Sequence, residues 1–352
     1  MEYSIMTTNR CNLQCIYCIN SDRRRQTSIK ADAVKIISHI KNDASQHKYD
    51  PIVVTFYGGE PLLEQGLITE IMAGLKEWKP LYNIFTNGTL ISKDNLPMLD
   101  KMNMISISID GVAQQHDATR GKGTHHKILS NFLSVKNHIV DKSLAFITIT
   151  PTSSVFDSVM GLVDTFSNIF WFLENSDNQQ DLHAFLERYD RDLDRLLEWW
   201  ISQLRTGKVP HLIPFQGLYD ILEKKHVYSG LPCGIGENFQ ALAIDGSIYT
   251  CEDSYHNKIG SVEEGADMSK SQHHYDFDIC RECEVKEICA GRCVVPHLHF
   301  SREKVEFYCQ CSKLLINKFK KILPEIKELI KKGTISEAAV LNRLTRFTDV
   351  IP

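Results

Sequence analysis

Six short runs rich in β-branched and aromatic residues alternate with longer stretches of helical period, and this alternation limits the fold more than any other feature of the chain. The runs lie near 3–8, 52–57 (IVVTFY), 82–86 (YNIFT), 104–109 (MISISI), 144–150 (LAFITIT) and 168–173 (NIFWFL). Helical periodicity occupies 28–45, 64–77, 91–101, 128–140, 153–167 and 181–206. Strand and helix in this order predict parallel βα units, laid out as an open sheet or curled into a partial barrel. In either form ligands sit beyond the carboxyl ends of the strands. The loops after the first four runs are where the unusual residues fall: a cysteine triplet, GGEP (Gly58 to Pro61), TNG (Thr86 to Gly88) and Asp110–Gly111.

The pattern changes near residue 208, where VPHLIPFQGLY marks the exit from this first domain. NFQALAI and SIYTCE then flank Asp245–Gly246, a β-hairpin signal because both turn residues tolerate positive φ. The stretch 280–311 is dense in cysteine and poor in hydrophobic period, so a metal centre is the expected organiser. From 312 to 345 the chain is Lys-rich and helical by period. These changes divide the chain at 1–215, 216–315 and 316–352.

Composition narrows the partners. Lys and Arg total 40 against 44 Asp and Glu, a net charge of −4 that favours neither nucleic acid nor anionic lipid. No secretory leader opens the sequence, and no apolar run approaches the roughly 20 residues of a membrane span. A cytoplasmic protein with reduced thiols is expected, in which the 11 cysteines are metal or redox groups rather than disulfides. No nucleic acid and no membrane are expected as partners.

The cysteines form two groups. Cys11-x3-Cys15-x2-Cys18 places three soft ligands in one loop, a set that suits an iron–sulfur cluster with one open iron. A zinc site lacking a nearby fourth ligand, or chance clustering, are the alternatives; His39 and His47 are remote in sequence. The segment CNLQCIYC resembles the signature of the radical S-adenosylmethionine (SAM) family, with Tyr17 before the third cysteine, and GGEP after the second strand belongs to the same pattern. The resemblance implies a partial (β/α)6 TIM-like barrel and a 4Fe-4S cluster on Cys11, Cys15 and Cys18. The open iron of such a cluster chelates SAM, and one electron converts SAM to a 5′-deoxyadenosyl radical. By resemblance Gly58, Gly59, Glu60 and Pro61 hold the methionine end. Asn87, Ser108 and Asp110 face ribose and methionine, Arg120 the SAM carboxylate and Tyr17 the adenine. Turn formation is an equal reading for Asn87 and Asp110, and Arg23 to Arg25 read as a solvated loop.

The second group, Cys280-x2-Cys283-x5-Cys289-x3-Cys293 with Cys309 and Cys311 beyond it and Cys233 and Cys251 before it, resembles the SPASM extension, which binds two auxiliary 4Fe-4S clusters. That resemblance assigns Cys233, Cys251 and Cys293 to the nearer cluster, and Cys280, Cys283, Cys289 and Cys309 or Cys311 to the other, with Cys309 favoured. The nearer cluster then has an open iron, a non-cysteine ligand or Cys311. His273, His274, His297 and His299 read as solvated or packing residues. The Lys-rich tail reads as the solvated face of a closing helix.

Relatives with this extension modify peptides and proteins. The resemblance therefore implies a maturase that crosslinks a ribosomally made precursor peptide, builds a thioether in it or epimerises it, fed by flavodoxin or ferredoxin. A leader peptide would be bound by the barrel, the SPASM region or a separate leader-binding protein. Formylglycine formation on a sulfatase is the alternative; relatives with that activity have Asp after the cysteine matching Cys251 and Gln before GGEP, where this chain has Glu252 and Tyr57. Glu252 is the candidate catalytic carboxylate, a surface group being the other reading. A third reading is an iron–sulfur electron carrier without radical chemistry.

Overall fold

The computed structural model describes every residue except 23–28, 49–50, 176–181, 225–229, 256, 272–276, 342–343 and 345–350. The run Arg23 to Arg25 and the pair His273 and His274 lie outside the described residues. In chain order the strands are β1 (Glu2–Thr8), β2 (Val53–Gly58), β3 (Leu81–Thr86), β4 (Met104–Ser108), β5 (Ser143–Ile149), β6 (Asn168–Leu173), β7 (His211–Leu212), β8 (Phe239–Leu242), β9 (Ser247–Tyr249), β10 (Lys258–Ser261) and β11 (Gly265–Ala266). The α-helices are α1 (Ala33–His47), α2 (Gln65–Gly74), α3 (Leu96–Leu99), α4 (Ala113–Arg120), α5 (Thr124–Ile139), α6 (Val155–Met160), α7 (Leu182–Arg205), α8 (Ile213–Lys224), α9 (Lys286–Cys289), α10 (Val294–His299), α11 (Arg302–Lys331) and α12 (Glu337–Val340). Each of the six strand runs and six helical stretches read from the sequence overlaps its element. Helix α4, absent from that reading, has no apolar stripe to announce it.

Two compact units interleave along the chain. The first comprises Met1–Ile109, His116–Ser143 and Gly234–Tyr275. Its strands run β11-β10-β9-β8-β1-β2-β3-β4, parallel from β8 to β4 and antiparallel from β8 to β11. All of β1 is buried, as a strand paired on both edges should be. Helix α1 starts where Asp32 accepts the Lys35 N–H at 3.1 Å, and buries Ala33, Ile36, Ile40 and Ala44 along one stripe. Each isoleucine so buried contributes roughly 2 kcal/mol. His39, on the same stripe, is hydrogen-bonded to Gln240 at 2.8 Å and serves the core.

The hairpin forms where expected: β8 and β9 are antiparallel, and Gly246 turns at φ +82° between them. Its placement was not legible in the sequence. β8 adds to the free edge of β1 in parallel, Glu2 opposite Phe239 and Ile5 opposite Leu242, which satisfies backbone groups that β1 would otherwise leave open.

The second unit comprises Asp110–Gln115, Leu144–Cys233 and Asp276–Pro352. β5, β6 and β7 are parallel neighbours. Helices α7 and α11 meet through apolar faces, with Trp200 6.2 Å from Phe319 and Phe185 5.4 Å from Phe307. Helix α11 is continuous from Arg302 to Lys331, through residues 315 and 316. Among the described residues no helix is long and apolar enough to cross a membrane.

Candidate active site and cysteine centres

β1 delivers the chain into a loop holding Cys11, Cys15 and Cys18, all partly exposed and none in a disulfide. The loop is stitched to its neighbour through the backbone: Gly59 N–H donates to Thr8 O at 2.8 Å and Glu60 N–H to Arg10 O at 2.9 Å. Glycine is required for that approach. A Cβ on Gly59 would lie 2.1 Å from Arg10 O, and one on Gly58, at φ +135°, 2.5 Å from Thr8 O. The Gly59→Ala variant is therefore expected to displace the cysteine loop and lose the iron of this site, measured as iron per chain after anaerobic reconstitution.

Glu60 caps the turn Pro61–Glu64, and its carboxylate is fully used: it accepts from Leu62 N at 3.0 Å, Thr86 Oγ1 at 2.7 Å and Asn87 N at 2.7 Å. It is thus a strut between the GGEP and TNG loops. Asn87 continues the chain of contacts, donating through Nδ2 to Asn12 at 2.8 Å and to Cys11 Sγ at 3.8 Å, while Leu13 N–H reaches the same sulfur at 3.4 Å. Donors at sulfur favour the thiolate that iron needs.

Burial pushes the Glu60 carboxyl from 4.5 up to about 7, against the pull of its three donors. The folded state therefore holds this proton more tightly than the unfolded one. Stability falls as pH rises from about 4.5 to about 7 and is flat above, a loss on the order of 3 kcal/mol. A series of Tm against pH should show that slope, and Glu60→Gln should flatten it.

Tyr17 lies under Arg120, whose guanidinium carbon is 5.4 Å from the ring centroid, and Ile16 N–H bonds to Thr119 O at 3.0 Å. The end of α4 thus docks on the cysteine loop. Ser108 ends β4. Asp110 belongs to the second unit, where its buried carboxylate accepts Thr148 N–H at 3.0 Å.

Tyr57, just before GGEP, was overlooked as a functional group. Its hydroxyl donates to Asp253 at 2.8 Å, and burial, with Asp253, Glu252 and Cys18 around it, pushes the phenol well above its usual range. The pair joins residues 196 apart in sequence, so no local pattern announces it. Glu252 and Asp253 are both half-buried beside the buried Cys251.

In the second unit Cys280, Cys283, Cys289, Cys293 and Cys309 line one cavity of about 30 Å³, partly open to solvent. Cys311 is fully buried in α11, and burial pushes its thiol up to about 12. It does not line the cavity. His297 stacks on Phe277 at 3.5 Å and bonds Gly291 O at 3.2 Å, and burial drives its pKa down to about 4, as for a packing histidine. Among the described residues no three His, Cys, Asp or Glu side chains converge as a single-ion site does. Sulfur-only donor sets of this kind suit clusters, in which each thiolate takes its own iron.

Parallel βα units with a thiol triplet after the first strand and a glycine-backed turn after the second define a class of cluster-bearing α/β folds. Residues 5–157 match the model of the Radical SAM superfamily. A match to that family implies a 4Fe-4S cluster and SAM. An uncharacterized protein of Methanocaldococcus jannaschii is 33% identical over 118 residues, 32% of this chain and 40% of that protein. A probable GTP 3′,8-cyclase of Methanocella arvoryzae is 30% identical over 128 residues, 36% of this chain and 40% of that protein. The matches thus span well under half of these curated relatives. The structure of native anSMEcpe with bound AdoMet superposes with a TM-score of 0.78 at 18% identity, covering 94% of this chain and 99% of that one. Streptococcus suis SuiB bound to S-adenosylmethionine superposes with a TM-score of 0.62 at 17% identity, covering 86% and 76%. These likenesses establish the fold: an α/β TIM-like architecture with antiparallel strands and helices in its C-terminal part.

Proposed function

We propose that the protein is a radical SAM/SPASM maturase that modifies a ribosomally made precursor peptide. The observation that carries it is the backbone stitch between the cysteine loop and GGEP inside the radical SAM segment. Peptide complexes of two proteins with this fold, anSMEcpe with the Cp18Cys peptide and SuiB with precursor peptide SuiA, support the substrate class.

Cys11, Cys15 and Cys18 hold the catalytic cluster. When bound, cluster and SAM together supply a 5′-deoxyadenosyl radical that removes a substrate hydrogen atom. Gly58, Gly59 and Pro61 shape the backbone against which the methionine end lies. Glu60, whose carboxyl burial lifts to about 7, is shifted toward its charged form by an ammonium group docked beside it. Asn87, Ser108 and Asp110 serve ribose and methionine, Arg120 the carboxylate and Tyr17 the adenine. Cys280, Cys283, Cys289 and Cys309 hold one auxiliary cluster; Cys233, Cys251 and Cys293 hold the other. Flavodoxin or ferredoxin delivers electrons. The division 1–215, 216–315, 316–352 follows these cluster roles rather than the contact units.

Glu252 takes the substrate proton, and Asp253, fixed by Tyr57, orients that corner of the site. Glu252→Gln is expected to cut product formation about 100-fold or more while 5′-deoxyadenosine still forms; undiminished product removes Glu252 from the chemistry. The function is tested by incubating reconstituted protein with SAM, dithionite and short Cys-, Ser- or aromatic-rich peptides encoded beside its gene. A crosslink or thioether removes two hydrogens from the peptide, and epimerisation in heavy water adds deuterium. A sulfatase peptide converted to formylglycine would favour the alternative, and no SAM cleavage at all would favour an electron carrier.

A further inference from the structure

Arg292 is 4% exposed, and none of its three guanidinium nitrogens has a hydrogen-bond partner. A guanidinium keeps its proton in a protein, so burying it without an anion is costly. The charge sits 4.9 Å from the ring centroid of Phe172 and 4.6 Å from that of Tyr308, contacts that recover only about 1–2 kcal/mol. The loop that carries it is strained as well. Ala290, Gly291 and Arg292 follow one another at φ 47°, 81° and 59°, and the left-handed region costs a non-glycine residue about 1–2 kcal/mol. Such strain persists where the surroundings demand it.

Arg292 lines the cavity that holds Cys280, Cys283, Cys289, Cys293 and Cys309, and no carboxylate is among the lining residues. The anion it lacks must come from those sulfurs or from what they bind.

We propose that Arg292 is the fixed counter-cation of the cluster held by Cys280, Cys283, Cys289 and Cys309, and that it raises that cluster's reduction potential. The proposal rests on the reading of this cavity as a cluster site. A cubane with four thiolates is a net anion when oxidised and gains further negative charge on reduction. A buried cation beside it therefore stabilises the reduced form more, and net charge and contacts at the sulfurs are the protein's main controls on potential. Beside Cys11, by contrast, Arg10 is half exposed and paired with Glu64.

The test is a redox titration of anaerobically reconstituted full-length protein, with dithionite and mediator dyes, followed by EPR. Arg292→Met is expected to keep the wild-type iron count, shift one cluster to a more negative midpoint and leave the SAM-binding cluster unmoved. Arg292→Lys, which keeps the charge, is expected to shift it less. An iron-replete Met variant with an unmoved midpoint, or equal shifts in the Lys and Met variants, overturns the counter-cation role and leaves the cluster site standing. Wild-type protein that takes up only about 4 irons per chain overturns both. If the Met variant does not fold, wild-type protein labelled with ¹⁵N-arginine supplies the readout. A weak ¹⁵N coupling to the reduced auxiliary cluster in pulsed EPR supports the role, and its absence overturns it.

Discussion

Alanine at Cys11, Cys15 or Cys18 is expected to abolish formation of 5′-deoxyadenosine from SAM and dithionite and, with the three clusters proposed, to take iron from about 12 to about 8 per chain. The three thiols share one short loop, and in the proposed cluster each would hold a separate iron, so none could be spared. Colorimetric iron and chromatography of the nucleoside product check both halves of this expectation. Cys311→Ala is the control: that thiol is fully buried in α11 and lies off the cavity. It should cost about 1 kcal/mol of stability and neither iron nor activity. Loss of iron in Cys311→Ala would instead make it a ligand, the role left open for the spare cysteine.

The second large effect is on folding. Between residues 278 and 300 the chain forms only a short 3-10 turn and helices α9 and α10, of four and six residues. With so little regular structure, the proposed cluster would supply folding energy there through its binding. Cys280→Ala or Cys289→Ala should lower iron from about 12 to about 8 per chain, expose this segment to limited proteolysis, and leave SAM cleavage in place. Resistance to protease equal to the wild type would mean that packing alone holds the segment.

These two sites differ in how much the sequence disclosed. For the first, period and loop position were enough: strand, thiol triplet, strand and GGEP occur in an order that only parallel βα units make sense of, and each strand formed as read. For the second, spacing announced a cysteine-rich centre but not its surroundings. Arg292 sits in CAGRC like any loop arginine, and its burial between Phe172 and Tyr308 depends on residues 120 and 16 positions away. Tyr57 and Asp253 are likewise a pair that only folding makes. Helix α4 escaped because AQQHDATR has no apolar face, and its place is set by contacts such as Thr119 O with Ile16 N–H. GGEP was legible as a glycine-backed loop at a strand end; that Glu60 is engaged by Leu62, Thr86 and Asn87 was not.

By itself the sequence determined the fold class, the six strand–helix units, the hairpin turn and the sulfur-rich character of both centres, because period, turn chemistry and ligand spacing are local properties of a chain. Tertiary structure decided that β8 completes the edge of β1, that Glu60 braces two loops and that a guanidinium lies buried without a partner. Those outcomes are set by hydrogen bonding, charge and desolvation between residues far apart in the chain, and no short window of sequence contains both members of such a pair.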